Sequence, residues 1–172
     1  MNLAGYLRYV AAFNSQDWDL VHHEFYAEDV SVRFPIARLS GAAESLAWFR
    51  TAHEALFEVL APMRIDLAED GREIVADLAV RFIALGDTDF APGRSPAHAG
   101  DVADVPMRAT YRFDADDRIT RLDVIFTGPP VQGRISRGPG RTSSQPPETS
   151  SQPPAESCER VRAAGSRSLR QP

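Results

Sequence analysis

The clearest alternation of apolar and polar positions lies between residues 105 and 127. Two alternating segments flank the short acidic stretch DADD at 114–117. The apolar positions are Met107, Ala109, Tyr111 and Phe113 in the first segment and Leu122, Val124 and Phe126 in the second. Such period-two patterning on both sides of a short turn is typical of an antiparallel β-hairpin with one buried face. The other face carries Arg and Asp, which suits cross-strand ion pairs.

Apolar residues at helical spacing predict three helices before this hairpin. The first covers residues 2–14, and the second covers residues 18–25 with Asp17 as its N-cap. The third and longest covers residues 42–60, where an apolar stripe runs through Phe49, His53, Leu56 and Leu60. Strands are predicted at residues 30–34, 63–67 and 73–85, followed by a long loop at 86–104. This order predicts an α+β fold, a cone-shaped curved antiparallel sheet wrapped on the long helix.

The composition changes after Pro130. TSSQPPE is nearly repeated as TSSQPPA between residues 142 and 155, and large apolar residues are scarce. Such a segment cannot bury enough surface to offset its ordering entropy. We therefore expect a cone domain at 1–130 and a disordered Pro/Ser/Arg-rich tail at 131–172, either inert or a docking segment for a proline-binding module.

Charge and cysteine content narrow the class of protein. The net charge is −5, which argues against nucleic acid as a partner. The single cysteine, Cys158, excludes an intrachain disulfide and a cysteine-based zinc site. No apolar run is long enough to span a membrane, and no signal peptide is recognisable. We expect a soluble, cytoplasmic protein without a metal site.

Four segments resemble the nuclear transport factor 2-like superfamily, and within it the SnoaL-like and ketosteroid isomerase-like proteins. They are RYVAAFNSQDWD (8–19), FYAEDVSVRFP (25–35), SGAAESLAWFR (40–50) and YRFDADDRITRLDVIF (111–126). The resemblance covers about residues 3–128. It implies a cone with a deep apolar pocket, no cofactor, and a homodimer formed through the outer face of the sheet. Members include isomerases, cyclases, dehydratases, epoxide hydrolases and non-catalytic binders, so the fold is better defined than the function.

The resemblance also implies roles for individual residues. Tyr9 matches the tyrosine that donates to the substrate oxyanion in ketosteroid isomerases, and Tyr26 matches its hydrogen-bonded neighbour. Phe49 stands where a third tyrosine is expected. Phe34 and Ala109 stand in place of the two catalytic carboxylates. The acidic residue of the polyketide cyclases aligns with Val124, although a register shift of one residue would substitute Asp123.

Histidines and aromatic residues supply the other candidates. His53 lies on the apolar stripe and could act as an acid or base, or could be a core histidine with satisfied hydrogen bonds. His22 and His23 are expected at the surface. Asp77 and Asp123 among several arginines form either a proton-transfer set, as in the epoxide hydrolases of the superfamily, or a dimer interface or solvated ladder. The predicted ligand-binding residues are Phe34, Trp48, Phe49, Met107, Ala109, Tyr111, Val124 and Phe126.

Two functional hypotheses follow. The first is a cofactor-free isomerase, cyclase or dehydratase that acts on a hydrophobic polyketide- or terpenoid-like substrate, with Tyr9, Tyr26 and His53 as catalytic residues. The second is a non-catalytic ligand-binding or dimeric accessory module. The absence of both isomerase carboxylates favours the second hypothesis, and the Tyr9–Tyr26 pair favours the first.

Overall fold

The computed structural model describes residues 1–89 and 97–135. Within these ranges the helices are α1 (Leu3–Asn14), α2 (Trp18–Phe25) and α3 (Ala42–Ala52). The strands are β1 (Tyr26–Arg33), β2 (Arg38–Ser40), β3 (Leu56–Leu67), β4 (Glu73–Ala84), β5 (Asp101–Phe113), β6 (Ile119–Phe126) and β7 (Val131–Arg134). The Asn2 and Asp17 side chains accept hydrogen bonds from the first free amides of α1 and α2, which fixes where these helices begin.

All seven strands belong to one curved sheet with the order β2-β1-β6-β5-β4-β3, and β7 pairs with the first part of β5. Neighbouring strands are antiparallel except for β1 and β6, which run parallel. The predicted α+β cone is thereby confirmed, but the sheet is mixed and not purely antiparallel. The predicted strand at 30–34 also begins earlier, at Tyr26.

The hairpin predicted from the alternation is present as β5 and β6. Ala109 lies opposite Val124, and Tyr111 lies opposite Leu122. These side chains are buried, whereas Arg108 and Arg112 are exposed on the other face. The register therefore places Val124 inside the cone and Asp123 outside it.

The predicted helix at 42–60 is wrong beyond Ala52. The chain turns at His53–Ala55 and continues as β3, which pairs with β4 over its whole length. Leu56 and Leu60 are four residues apart, a spacing that places two residues on one face of a helix and also on one face of a strand. The apolar stripe was thus compatible with both structures, and pairing with β4 decides for the strand.

Most of the predicted tail lies outside the described residues. Residues 131–135 are the exception, and Val131–Arg134 among them form β7 instead of a disordered segment. The division at residue 130 stays a prediction. In the described part of the chain, no helix is long and apolar enough to cross a membrane.

Candidate active site

An apolar cavity of about 80 Å³ lies between the helices and the concave face of the sheet. Its wall combines residues of α1, the β1–β2 turn, α3 and strands β3 to β6. Nine of the predicted site residues line it: Tyr9, Phe34, Trp48, Phe49, His53, Met107, Tyr111, Val124 and Phe126. Two predicted residues do not line it. Ala109 is fully buried in the sheet, and Tyr26 lies behind Tyr9.

Tyr9 is the polar group that α1 contributes to the cavity wall. Its hydroxyl oxygen lies 3.4 Å from that of Tyr26, and both side chains are almost completely buried. Burial raises the pKa of Tyr9 well above 10.0, and the neighbouring Tyr26 and Tyr111 add to this rise. Burial likewise raises the pKa of Tyr26. Both phenols therefore remain protonated at neutral pH and serve as hydrogen-bond donors, not as bases.

His53 and Glu58 form a second polar group in the same wall. Nε2 of His53 lies 2.8 Å from Oε2 of Glu58, and Nδ1 lies 2.8 Å from the carbonyl oxygen of Phe49. The two side chains are 3% and 13% exposed. The imidazole is held between aromatic rings, with Trp18 at 4.4 Å and a parallel Phe49 at 5.5 Å between ring centroids. The site therefore contains a buried, rigidly held acid–base pair.

The hydrogen-bond partners of His53 determine which of its ring nitrogens carries a hydrogen. The Phe49 carbonyl oxygen can only accept, so Nδ1 of His53 must carry a hydrogen. The contact between Nε2 and the Glu58 carboxyl group then needs one further proton, carried either by the ring or by the carboxyl group. When the ring carries that proton, the Glu58 carboxylate can accept a proton from a substrate, and general base catalysis requires a carboxylate positioned in this way.

Glu58 was missed in the sequence analysis because residues 56–60 were read as helix. As part of β3, Glu58 shares a face with Leu56 and Leu60, and all three line the cavity. Interpretation of LFEVL (residues 56–60) as a strand would have placed Glu58 on the same face as Leu56 and Leu60. Glu58 is also close enough to Tyr26 for its charge to contribute to the raised pKa of that phenol. The acid–base pair and the tyrosine pair are therefore electrostatically coupled.

His22 is not at the surface, contrary to the prediction. It is 5% exposed, with Nδ1 2.8 Å from the Trp18 carbonyl oxygen and Nε2 3.0 Å from Oγ of the fully buried Ser45. Burial lowers the pKa of His22, so the neutral ring accepts from the Ser45 hydroxyl. This contact connects α2 to α3 and does not reach the cavity.

The Asp and Arg residues considered as a proton-transfer set lie on the outer face of the sheet. Asp77 pairs with Arg108 at 2.7 Å, and Asp123 pairs with Arg121 at 2.6 Å. None of these four residues lines the cavity. Their position outside the cavity argues against the proton-transfer set.

An α+β cone that encloses an apolar cavity with a few buried polar groups is typical of proteins that bind small molecules. The sequence of this chain matches the model of the SnoaL-like domain over residues 6–122. The chain belongs to the SnoaL-like domain family.

Solved structures show the same fold. A protein from Xanthomonas campestris pv. campestris, provisionally described as a polyketide cyclase, is 24% identical, with a TM-score of 0.59 over 70% of this chain and 87% of that chain. The epoxide hydrolase/cyclase-like enzyme SalBIII, which acts in pyran ring formation in the polyether salinomycin, is 17% identical, with a TM-score of 0.55 over 70% of this chain and 86% of that chain. A computationally designed 17-OHP binder is 16% identical, with a TM-score of 0.58 over 73% and 92%. A comparison with curated proteins gave no match.

Proposed function

We propose that the cavity is the active site of a cofactor-free enzyme that moves a proton on a hydrophobic carbonyl compound. The reaction is of the isomerase, cyclase or dehydratase type, and the substrate is polyketide- or terpenoid-like. The observation that carries this proposal is the 2.8 Å contact between Nε2 of His53 and Oε2 of Glu58 in the wall of an apolar cavity that Tyr9 also lines.

In the proposed mechanism, Glu58 is the base. One carboxylate oxygen contacts His53, and the other takes the proton from the carbon next to the substrate carbonyl. The electron pair of the broken C–H bond forms a C=C bond, and the carbonyl π electrons move to the oxygen. The Tyr9 hydroxyl donates a hydrogen bond to this oxyanion, in a site where water does not compete.

The fate of the enolate distinguishes the three reaction types. Return of the proton to a different carbon gives an isomer. Attack of the enolate carbon on a second carbonyl of the same molecule closes a ring. Loss of a β-hydroxyl group, protonated by the His53–Glu58 pair, releases water and leaves a double bond. Each outcome uses the same first step and the same two polar groups.

The first step can be tested without the natural substrate. The probe is 1-phenylpropan-2-one in D₂O buffer, and proton NMR follows the loss of its benzylic CH₂ signal as deuterium enters. We expect the wild-type protein to accelerate this exchange above the buffer rate. Glu58→Gln should lower the protein-dependent rate by ~10²–10⁴, the usual contribution of a general base.

Glu54→Gln is the matched control, because Glu54 lies at the same junction but is exposed. We expect deuterium to enter the probe at the same rate with Glu54→Gln as with the wild-type protein. Probe binding is measured separately by tryptophan fluorescence, since Trp48 lines the cavity. Equal exchange rates in Glu58→Gln and wild-type protein would contradict the assignment of Glu58 as the base.

The second candidate function is ligand binding without catalysis. It is favoured by Phe34 and Ala109, which stand where the resemblance to ketosteroid isomerases would place carboxylates. The designed 17-OHP binder is an example of a structure with this fold that is described by its binding. Saturable binding of the probe with exchange no faster than in buffer would support this candidate over the enzyme.

We also propose a homodimer that forms through the outer face of the sheet, as the family resemblance implies. Arg121 and Asp123 already pair within one chain, and Arg33 approaches the same carboxylate at 3.4 Å. Arg121→Glu should therefore disturb this charged surface and weaken the dimer. Sedimentation velocity at micromolar concentration measures the effect, and a monomeric wild-type protein would contradict the proposal.

A further inference from the structure

A wider groove, which we call the vestibule, adjoins the cavity. Its volume is about 550 Å³, and it is lined by residues 33–38 of the β1–β2 hairpin and residues 124–126 of β6. Five residues are shared between the vestibule and the cavity: Phe34, Pro35, Ile36, Val124 and Phe126. The vestibule and the cavity therefore adjoin along these five side chains.

The polar end of the vestibule is formed by two arginines. Arg33 and Arg38 are opposite each other in the antiparallel pairing of β1 with β2. Like charges directly opposite on neighbouring strands repel each other. Both side chains are among the residues that line the vestibule, and that set contains no acidic residue. The vestibule thus presents two guanidinium groups to a ligand and no carboxylate in its lining.

The nearby carboxylate does not neutralise this pair. Nε of Arg33 lies 3.4 Å from Asp123, but Arg121 contacts the same carboxylate at 2.6 Å. Arg38 makes no ion pair within residues 1–89 and 97–135. Two arginines therefore share one aspartate, and Arg38 adds a further positive charge in a protein whose net charge is −5.

We propose that the vestibule binds an oxyanion carried by the substrate, a carboxylate or a phosphate. The inference rests on the proposed function, in which the apolar end of the same molecule enters the cavity. Arg38 and Arg33 then contact the anionic end, because the guanidinium group presents paired donors that match the oxygens of either anion. The substrate class is thereby narrowed to an amphiphile with an apolar carbonyl-bearing body and an anionic end.

The test compares ligands that share one apolar body. The probes are 4-phenylbutanoate, its uncharged amide and 4-phenylbutyl phosphate, each titrated calorimetrically into the full chain at low ionic strength. We expect the carboxylate to bind about tenfold more tightly than the amide, an advantage that added salt reduces. Tighter binding of the phosphate than of the carboxylate would identify phosphate as the preferred anion.

Arg38→Gln is the decisive variant, because Arg38 has no ion pair to lose in the described part of the chain. It should reduce the preference for the carboxylate severalfold and leave the affinity for the amide unchanged. Arg33→Gln should act in the same direction. Arg8→Gln changes the net charge equally but lies on α1 outside the vestibule, and it should keep the preference.

The possible failures are distinguishable. Equal affinity for the carboxylate and the amide in wild-type protein would overturn the vestibule proposal and leave the proposed function standing. A preference that survives both Arg38→Gln and Arg33→Gln would also overturn it, since the anion would then bind elsewhere. If none of the probes binds, the apolar cavity is not a ligand site, and the proposed function fails together with this inference.

Discussion

The two faces of the sheet differ in how exposed their charged residues are. On the outer face, Arg108 lies directly opposite Asp77, and Arg112 lies directly opposite Glu73, each pair within 3.1 Å and largely exposed. On the inner face, a single His–Glu pair is buried among aromatic rings. Exposed ion pairs contribute little because water screens them, whereas a buried polar group without its partner is costly. Substitutions of charged residues on the outer face should therefore change the stability little, whereas removal of one partner of the buried pair on the inner face should cost more.

The largest expected effect comes from two neighbouring residues of β5. Tyr111 is buried and packs against Tyr6 and Tyr9, with ring centroids at 5.3 and 5.6 Å. Tyr111→Ala should lower the free energy of unfolding by ~3–5 kcal/mol, as for other large aromatic truncations. Arg112→Ala, one residue further on, should have a much smaller effect. Urea denaturation measures both, and equal losses would show that the two faces do not differ.

An intermediate effect is expected when the hydroxyl of Tyr9 is removed. Tyr9→Phe keeps the ring that packs in the core but removes the donor that faces the cavity. We expect a carbonyl ligand such as 1-phenylpropan-2-one to bind about tenfold more weakly, which corresponds to one hydrogen bond of ~1.4 kcal/mol.

Tyr6→Phe is the control for this experiment, because Tyr6 is on the same helix and buried but does not line the cavity. We expect its ligand affinity to equal that of the wild-type protein. An unchanged affinity in Tyr9→Phe would remove Tyr9 from the site and leave the His53–Glu58 pair as its polar group.

The smallest effect concerns pH and the outer face. The hydrogen bond from Arg108 holds the pKa of Asp77 below its usual value of 3.8. A depressed carboxyl pKa contributes stability above the unfolded value, and this contribution is lost as the pH falls through the folded value. The urea concentration at the midpoint of unfolding should therefore decrease as the pH is lowered below ~4. This decrease should be slightly less steep in Asp77→Asn than in the wild-type protein.

The buried tyrosines of α1 give the opposite pH dependence. Burial raises the pKa of Tyr6 to about 12 and that of Tyr9 well above its usual 10.0. Their contribution is fully present below pH 10.0 and is lost at higher pH, because only the unfolded chain then releases their protons readily.

The outcome that would contradict the prediction for Asp77 concerns the acid side of the pH profile. A slope there that is identical in Asp77→Asn and wild-type protein would show that the outer-face pair has no measurable role.

The sequence allowed the fold to be predicted where its period was unambiguous. The alternation in 105–127 has no helical interpretation, so the β5–β6 hairpin and its buried face followed from it. Five of its apolar positions line the cavity: Met107, Tyr111, Leu122, Val124 and Phe126. Residues 56–60 are different, since a spacing of four fits both a helix and a strand. The error there hid Glu58, because a glutamate on a helix near the end of an apolar stripe gives no signal of a catalytic role.

The parallel pairing of β1 with β6 was also beyond the sequence analysis. Strand partners far apart in the chain leave no local pattern, and the period of each strand is the same for either direction. His22 was misplaced for a related reason. Its burial depends on Ser45, 23 residues away, which supplies the hydrogen bond that an apolar environment requires.

The junction between α3 and β3 brings His53 and Glu58 together within a short stretch of chain. His53 ends the helix, its ring is bonded to the carbonyl oxygen four residues earlier, and Glu58 follows only five residues later. The two side chains thus meet through a short loop, which closes at little entropic cost. The segment Phe49–Glu58, which includes the carbonyl and the ring that hold His53, should therefore supply an acid–base pair when it is grafted onto another cone of the same fold with an aromatic residue in the place of Trp18.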